Sequence, residues 1–313
     1  MIGLHALTVA ASALLLDRFF GEPRRFHPLA GFGRAASFAE AQLRNPAAAP
    51  WRQKISGLSA ALLLLLPLVL LSLFAVQAPV VGIVAEILLL YLTLGGQSLS
   101  EHAQRVATAL RVNDLDDARR QVSMIVSRDT AVMQPGDVVR ATVESVLENG
   151  NDAVFGTLFW FAVAGAPGAV FYRLANTLDA MWGYRTPRYR HFGWAAARLD
   201  DLLNYIPARL TALTYVVLGR SAQAWRCWHA QGRLWESPNA GPVMAAGAGA
   251  LGITLGGPAF YHGHYKQRPA LGEGRPASGG DIERALRLVQ HGVLLWLAVG
   301  LLLVLVLGGE TLA

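Results

Sequence analysis

The sequence predicts an all-α, polytopic helical membrane protein, and three observations carry that prediction. Residues 55–85 contain no charged side chain, whereas about 20 apolar residues suffice for one membrane-crossing helix. Residues 288–309 form a second run without formal charge, built on Leu and Val around Trp296. Only 15% of the 313 residues are charged and 53% are hydrophobic, against about a quarter charged in a soluble chain, so polar surface is too scarce to coat a water-exposed protein of this size. The same composition excludes disorder, and Cys227, the one cysteine, excludes a scaffold held by intrachain disulfides.

The elements follow in order. Residues 2–20 are the first expected span, apolar from Ile2 to Leu16 and extended by Phe19 and Phe20 past Asp17 and Arg18. Its basic residues follow the apolar run, the reverse of a cleaved signal peptide. Gln77-Ala78-Pro79 marks a turn between spans at about 55–76 and 80–99, and a last span is expected at about 289–308. Arg18, Arg24, Arg25, Arg34, Arg44, Arg52 and Lys54 lie between the first two spans and none lies at the Gln77 turn. The positive-inside bias therefore places 18–54 in the cytoplasm, and the hairpin returns the chain so that about 100–288 faces the same side. Three shorter apolar stretches, 154–170, 205–218 and 243–260, are read as buried or re-entrant helices, because crossings would expose Arg185, Arg188, Arg190 and Arg198 outside. Gly165-Ala166-Pro167-Gly168 breaks the first stretch, and the Gly/Ala content of the third suits close packing on protein. With no repeat or linker, 1–313 reads as a single integral-membrane domain with a cytoplasmic helical layer. The net charge of +6 fits anionic lipid rather than nucleic acid, and its excess of Arg over Lys suits binding of phosphate or carboxylate.

Four segments carry candidate chemistry. Arg140, Glu144 and Glu148 share a helix face at i, i+4, i+8, followed by Asn149 and Asp152; carboxylates so placed hold magnesium, or Arg140 and Glu144 form a surface pair. Arg173, Asn176, Asp179 and Gly183 form one polar row in an apolar stretch, which marks a functional site or a mutually satisfied pair of Arg173 with Asp179 or Asn176. In the densest cluster, around Arg198, Asp200, Asp201, Asn204, Tyr205 and Arg209, helical spacing seats Asp200 with Asn204 and turns Asp201 toward Arg198 or Tyr205. Pro207 is expected to break or kink that helix, freeing carbonyls beside the acids. Ser237 or Asn239 caps a small-residue helix whose N-terminus is either a cap alone or an anion site. No P-loop sequence is present. His262-Gly-His264 lacks a third zinc ligand, Cys227 reads as packing, and Asp17-Arg18 with His27-Pro28 reads as snorkelling and turn formation.

Taken together, Leu16-Asp17-Arg18 with Gly21-Glu22-Pro23 and His27-Pro28, Ser127-Arg128-Asp129-Thr130, Glu144-Ser145 with Glu148-Asn149 and Asp152, Asn176-Thr177-Leu178-Asp179 with Gly183-Tyr184, Ala197-Arg198-Leu199-Asp200-Asp201 with Asn204-Tyr205-Ile206-Pro207-Ala208-Arg209-Leu210, and Ser237-Pro238-Asn239-Ala240-Gly241 resemble the CobD/CbiB family of cobalamin-biosynthesis membrane proteins. The likeness runs from about residue 14 to 290; Glu22 stands where the family usually has Asp. The resemblance implies a multi-pass inner-membrane ligase, adenosylcobinamide-phosphate synthase. It would join a propionate carboxylate of adenosylcobyric acid to the amine of aminopropanol phosphate with ATP and Mg2+, facing the cytoplasm and meeting later cobalamin-pathway enzymes. A carboxylate must be activated before an amine attacks it, most simply as an acyl phosphate, with arginines offsetting phosphoryl charge and a carboxylate taking the amine's proton. On that chemistry Asp200, Asp201 and Arg198 are the expected catalytic groups and Glu144 and Asp152 the expected metal ligands. Arg128, Arg173, Asn176, Asp179, Asn204, Arg209, Ser237 and Asn239 are expected to bind substrate or phosphate. A corrinoid transporter or a membrane scaffold is the alternative.

Overall fold

The computed structural model describes residues 2–23, 27–79, 81–261 and 263–309. Its helices are α1 (Ile2–Phe20), α2 (Pro28–Leu43), α3 (Pro50–Gln77), α4 (Gly82–Thr93), α5 (Gly96–Arg111), α6 (Leu115–Val122), α7 (Pro135–Gly150), α8 (Gly156–Trp182), α9 (Trp194–Leu218), α10 (Ser221–Gln231), α11 (Ala240–Leu251) and α12 (Gly280–Gly309). Among the described residues five segments are long and apolar enough to cross a membrane: Gly3–Phe20, Pro50–Gln77, Gly82–Arg111, Pro135–Trp182 and Gly280–Val306. Four coincide with the expected spans. The fifth contains the 154–170 stretch, and its apolar window is mostly buried inside protein while that of α12 is mostly bare. The protein is a polytopic helical membrane protein.

The helices pack as two compact units, Met1–Gly95 with Gly156–Asn204, and Gly96–Phe155 with Tyr205–Ala313. In the first unit α8 lies against α3, α4 and α2, and α4 against α1. Phe32, Ala36, Ala60, Leu65, Leu178, Trp182 and Phe192 form its largest core cluster, with the Trp182 and Phe192 rings edge to face at 5.1 Å. Helix α8 is broken where the sequence places the break: Ala164 and Gly165 leave helical geometry, Gly165 at φ 65°.

In the second unit α11 packs against α10 and α7, and α7 against α12 and α5. Every residue of α11 is buried, since Gly and Ala let neighbouring backbones approach; a Cβ on Gly249 would stand 2.7 Å from the Ala224 Cα. Here the structure corrects the sequence reading. The apolar stretch 243–260 is not one helix: Gly252, at φ 67°, ends α11 in a left-handed cap. The β-branched Ile253 then enters strand β1 (Ile253–Gly256), followed by β2 (Ala259–Tyr261), β3 (His264–Lys266), β4 (Ala270–Leu271) and β5 (Arg275–Pro276). Strand β1 is central, antiparallel to β4 and parallel to β5, while β2 and β3 form a separate antiparallel pair. The expected all-α class holds for the bulk of the chain, and these short strands join α11 to α12. His262 and the Arg24 and Arg25 of the basic loop lie outside the described residues.

Candidate active site

In the first unit a row of polar side chains links α8 to α9. Both helices have apolar flanks, so polar groups on their facing sides must satisfy one another. Tyr172 is buried and its hydroxyl donates to Asn204 Oδ1 at 2.8 Å. The Asn204 amide donates to Asp200 Oδ1 at 3.0 Å, and the Asn176 amide donates to the same oxygen at 3.1 Å. The Arg173 guanidinium reaches Asn176 Oδ1 at 3.4 Å. Two asparagines, held from behind by Tyr172 and Arg173, thus converge on one carboxylate oxygen, and Asn204, only 1% exposed, locks its geometry. Asp179, one turn beyond Asn176, lies in the electrostatic field of Asp200 and Asp201. Its carboxylate sits so close to Gly183 that a Cβ there would meet Oδ1 at 1.9 Å, which explains the glycine at the end of the row. Asp201 turns away from Asp200 toward Arg198, at 3.4 Å. Burial raises the pKa of the Asp201 carboxyl, opposed by the Arg198 and Arg185 charges.

Pro207 does not break α9. The helix runs unbroken through it to Leu218, because the carbonyl that the missing proline N–H abandons, that of Leu203, is taken by the Trp160 indole N–H at 3.0 Å. A partner from α8 thereby stabilises the proline-bearing helix at the turn that presents Asp200 and Asn204.

The second unit holds the other candidates in two groups. Arg209 stacks on Tyr205, 3.7 Å from the ring centroid, and donates to Asn239 Oδ1 at 2.6 Å and to the Pro238 carbonyl at 2.9 Å. The N-cap residue of α11 is Asn239, whose side chain makes no capping bond; Ser237 Oγ, two residues earlier, accepts the N–H groups of Ala240 and Asn239 at 3.1 and 3.3 Å. Asn239 is thereby left to hold Arg209. Asn151 and Asp152 fall in a π-helical turn, Asn151–Phe155, beyond the end of α7. Thr211 donates to Asn151 Oδ1 at 2.9 Å, and Asn151 donates to Asp152 Oδ1 at 2.9 Å.

The second group centres on Glu144, and it differs from the sequence expectation. Glu144 is 1% exposed. Its carboxylate pairs with Arg128, with Arg268 at 3.0 Å, and accepts the Gly256 backbone N–H at 2.8 Å. Arg128 and Arg268 both reach the Tyr261 hydroxyl, at 3.0 and 3.3 Å. Burial works against the Arg128 charge, but Glu144 and Tyr261 outweigh it and hold the guanidinium more firmly protonated. A carboxylate saturated in this way has no lone pairs directed at a metal, so Glu144 clamps the β1 to β3 segment onto α7 instead of pairing with Asp152 as a magnesium ligand. Arg128 keeps one face on a cavity of about 270 Å³ that Asp129, Asp137, Arg140 and Tyr265 also line, a volume for a phosphate-sized group rather than a macrocycle. Among the described residues no three of His, Cys, Asp and Glu gather as a metal site.

Sequence spacing placed Arg173 with Asn176 in one row and Asp200 with Asn204 in another; that the two rows meet is seen only in the bond from Asn176 to Asp200. Spacing missed Arg268, Tyr172, Trp160 and Tyr261, which lie far along the chain from their partners and on no shared helix face.

The sequence profile described as CobD/Cbib protein matches residues 10–289. The chain belongs to the CobD/CbiB family. It is 57% identical over 299 residues to the cobalamin biosynthesis protein CobD of Chromobacterium violaceum, covering 95% of this chain and 96% of that one. Against the CobD of Stutzerimonas stutzeri identity is 58% over 297 residues, with 95% and 96% covered. Against that of Mycobacterium tuberculosis it is 41% over 286 residues, with 89% and 90% covered. No solved structure matches the chain. In this CobD/CbiB chain the matched region includes all of the α8 and α9 polar row.

Proposed function

We propose that this protein is an adenosylcobinamide-phosphate synthase, which ligates adenosylcobyric acid to aminopropanol phosphate at the expense of ATP. Membership of a cobalamin-biosynthesis family along nearly the whole chain is the observation that carries the reading. The substrate carboxylate attacks the terminal phosphorus of ATP, giving an acyl phosphate and ADP. The amine then adds to the acyl carbon, loses a proton, and phosphate departs with the acyl C–O bond's electron pair. Asp200 and Asp201 are proposed to flank the reacting carbon, one accepting the amine's proton. In the first unit Arg173 and Arg198 are proposed to offset charge on carboxylate and phosphate, with Asn176, Asp179 and Asn204 orienting them; in the second, Arg209 with Ser237 and Asn239 is proposed to bind phosphate, as is Arg128 at the cavity it lines.

The donor set does not form a resident magnesium site, with Glu144 consumed by two arginines, so no step is assigned to the metal. Mg2+ is proposed to enter as MgATP, since magnesium usually takes most of its ligands from phosphates and water. The protein is proposed to lie in the bacterial inner membrane with its active site toward the cytoplasm, the side on which the Arg and Lys of 18–54 belong. It would there meet the corrinoid, lipid and later enzymes of the pathway.

The deciding experiment mixes purified, lipid-supported protein with adenosylcobyric acid, aminopropanol phosphate and MgATP and seeks the condensed amide by mass spectrometry. Product that disappears when any one component is omitted supports the ligase. No product from folded protein that binds the corrinoid moves the reading to a scaffold, and flux into sealed vesicles moves it to a transporter.

A further inference from the structure

We propose that His27 and Arg173 form an oxyanion subsite in the first unit, which takes a carboxylate or phosphate group of one substrate. The proposal rests on the ligase reading for the identity of the ligand, and on donor chemistry for the subsite itself. His27 is the N-cap of α2, and its Nδ1 accepts the Leu29 backbone N–H at 3.2 Å. An amide N–H only donates, so Nδ1 holds a lone pair and the proton of the neutral ring sits on Nε2. That Nε2 is buried and has no hydrogen-bond partner among the described residues.

Arg173 supplies the second donor. Its charge acts on His27, and its Nε–H is likewise buried without a partner among the described residues. Native proteins seldom leave buried donors unpaired, and two on neighbouring segments, one cationic, call for an acceptor that arrives with a ligand. The groups acting on His27 are Glu22, which raises its pKa, and Arg173, which lowers it; burial is the largest influence and the balance falls below the ordinary 6.5. The ring is therefore neutral at pH 7 and offers one N–H. Asp17 stands with Glu22 beside Tyr91. From Arg173 the polar row continues through Asn176 to Asp200, so an anion held here lies at the end of the row that carries the proposed base.

The test separates the cap from the donor. His27→Asn retains an acceptor for the Leu29 N–H, Asn being a favoured N-cap, but lacks the Nε2 donor. His27→Gln restores an amide donor near the Nε2 position. Dissociation constants for adenosylcobyric acid, aminopropanol phosphate and MgATP are measured by equilibrium titration on the full-length, lipid-supported protein, together with Tm. His27→Asn and Arg173→Gln should each weaken one and the same ligand about tenfold, the loss expected for a hydrogen bond to a charged group. Both should leave the other two ligands and Tm unchanged, and His27→Gln should recover most of the loss. A response of adenosylcobyric acid assigns the subsite to a carboxylate, and a response of either of the others assigns it to a phosphate. Unchanged affinities in His27→Asn overturn the proposal, as does a uniform weakening accompanied by a lower Tm. So does a loss that Glu22→Gln reproduces, because Glu22 would then be the group His27 serves. Titration needs no turnover: binding of this pattern without amide formation removes the ligase and leaves the subsite, and amide formation indifferent to His27→Asn does the reverse.

Discussion

Asp200 accepts from two asparagines through a single oxygen, so its charge and its shape can be tested apart. Asp200→Asn keeps an acceptor in place and should leave Tm nearly unchanged while amide formation falls by about 100-fold or more, the range for loss of a general base. Turnover within about threefold of the parent protein would remove Asp200 from the chemistry. Glu144→Gln leaves Arg128 and Arg268 buried around a neutral amide and should destabilise the protein by about 3–5 kcal/mol, read by chemical denaturation; added Mg2+ should not restore it, as it would a weakened metal site. Cys227 is fully buried, and burial, helped by the Glu273 charge, raises its thiol pKa from 9.0 to about 11. A thiol raised in the folded state contributes stability that is complete below pH 9 and lost as pH climbs from 9 toward 11. Maleimide at pH 7.5 should therefore label this protein only once it is unfolded, and rapid labelling of the folded form would contradict the burial.

At the scale of elements, the bond from Trp160 to the Leu203 carbonyl explains how α9 tolerates Pro207. Trp160→Phe should strand that carbonyl at a cost of about 1–3 kcal/mol. Adding Pro207→Ala returns a backbone N–H to it, so the double variant should lose less than Trp160→Phe alone. Additive losses in a double-mutant cycle would show that the indole and the proline act independently. The broken α8 was legible in Gly165-Ala166-Pro167-Gly168, because Gly and Pro act on the backbone locally. The fate of Pro207 was not, because its partner sits on another helix more than forty residues away.

At the scale of the molecule, the five apolar segments make orientation measurable. With the native thiol buried, single cysteines introduced at Gln77 and Asn45 should report opposite sides: Gln77 accessible to an impermeant reagent from outside, Asn45 accessible only after the membrane is opened. The reverse pattern would invert the topology and place the polar row on the wrong face for ATP.

The sequence by itself determined that this is a multi-pass helical membrane protein of the CobD/CbiB family, where four of its spans lie, that Arg173 and Asn176 share one helix face, and that Asp200 sits with Asn204 on another. These are properties of uninterrupted apolarity and of 3.6-residue periodicity, both written along the chain. Tertiary structure decided what periodicity does not reach. It gave Glu144 to Arg128 and Arg268, turned the 243–260 stretch into a helix and strands at Gly252, and left His27 Nε2 buried with no acceptor among the described residues. In each case the outcome depends on which side chain a distant segment brings to a buried polar group, and burial makes such a group costly to leave unpaired.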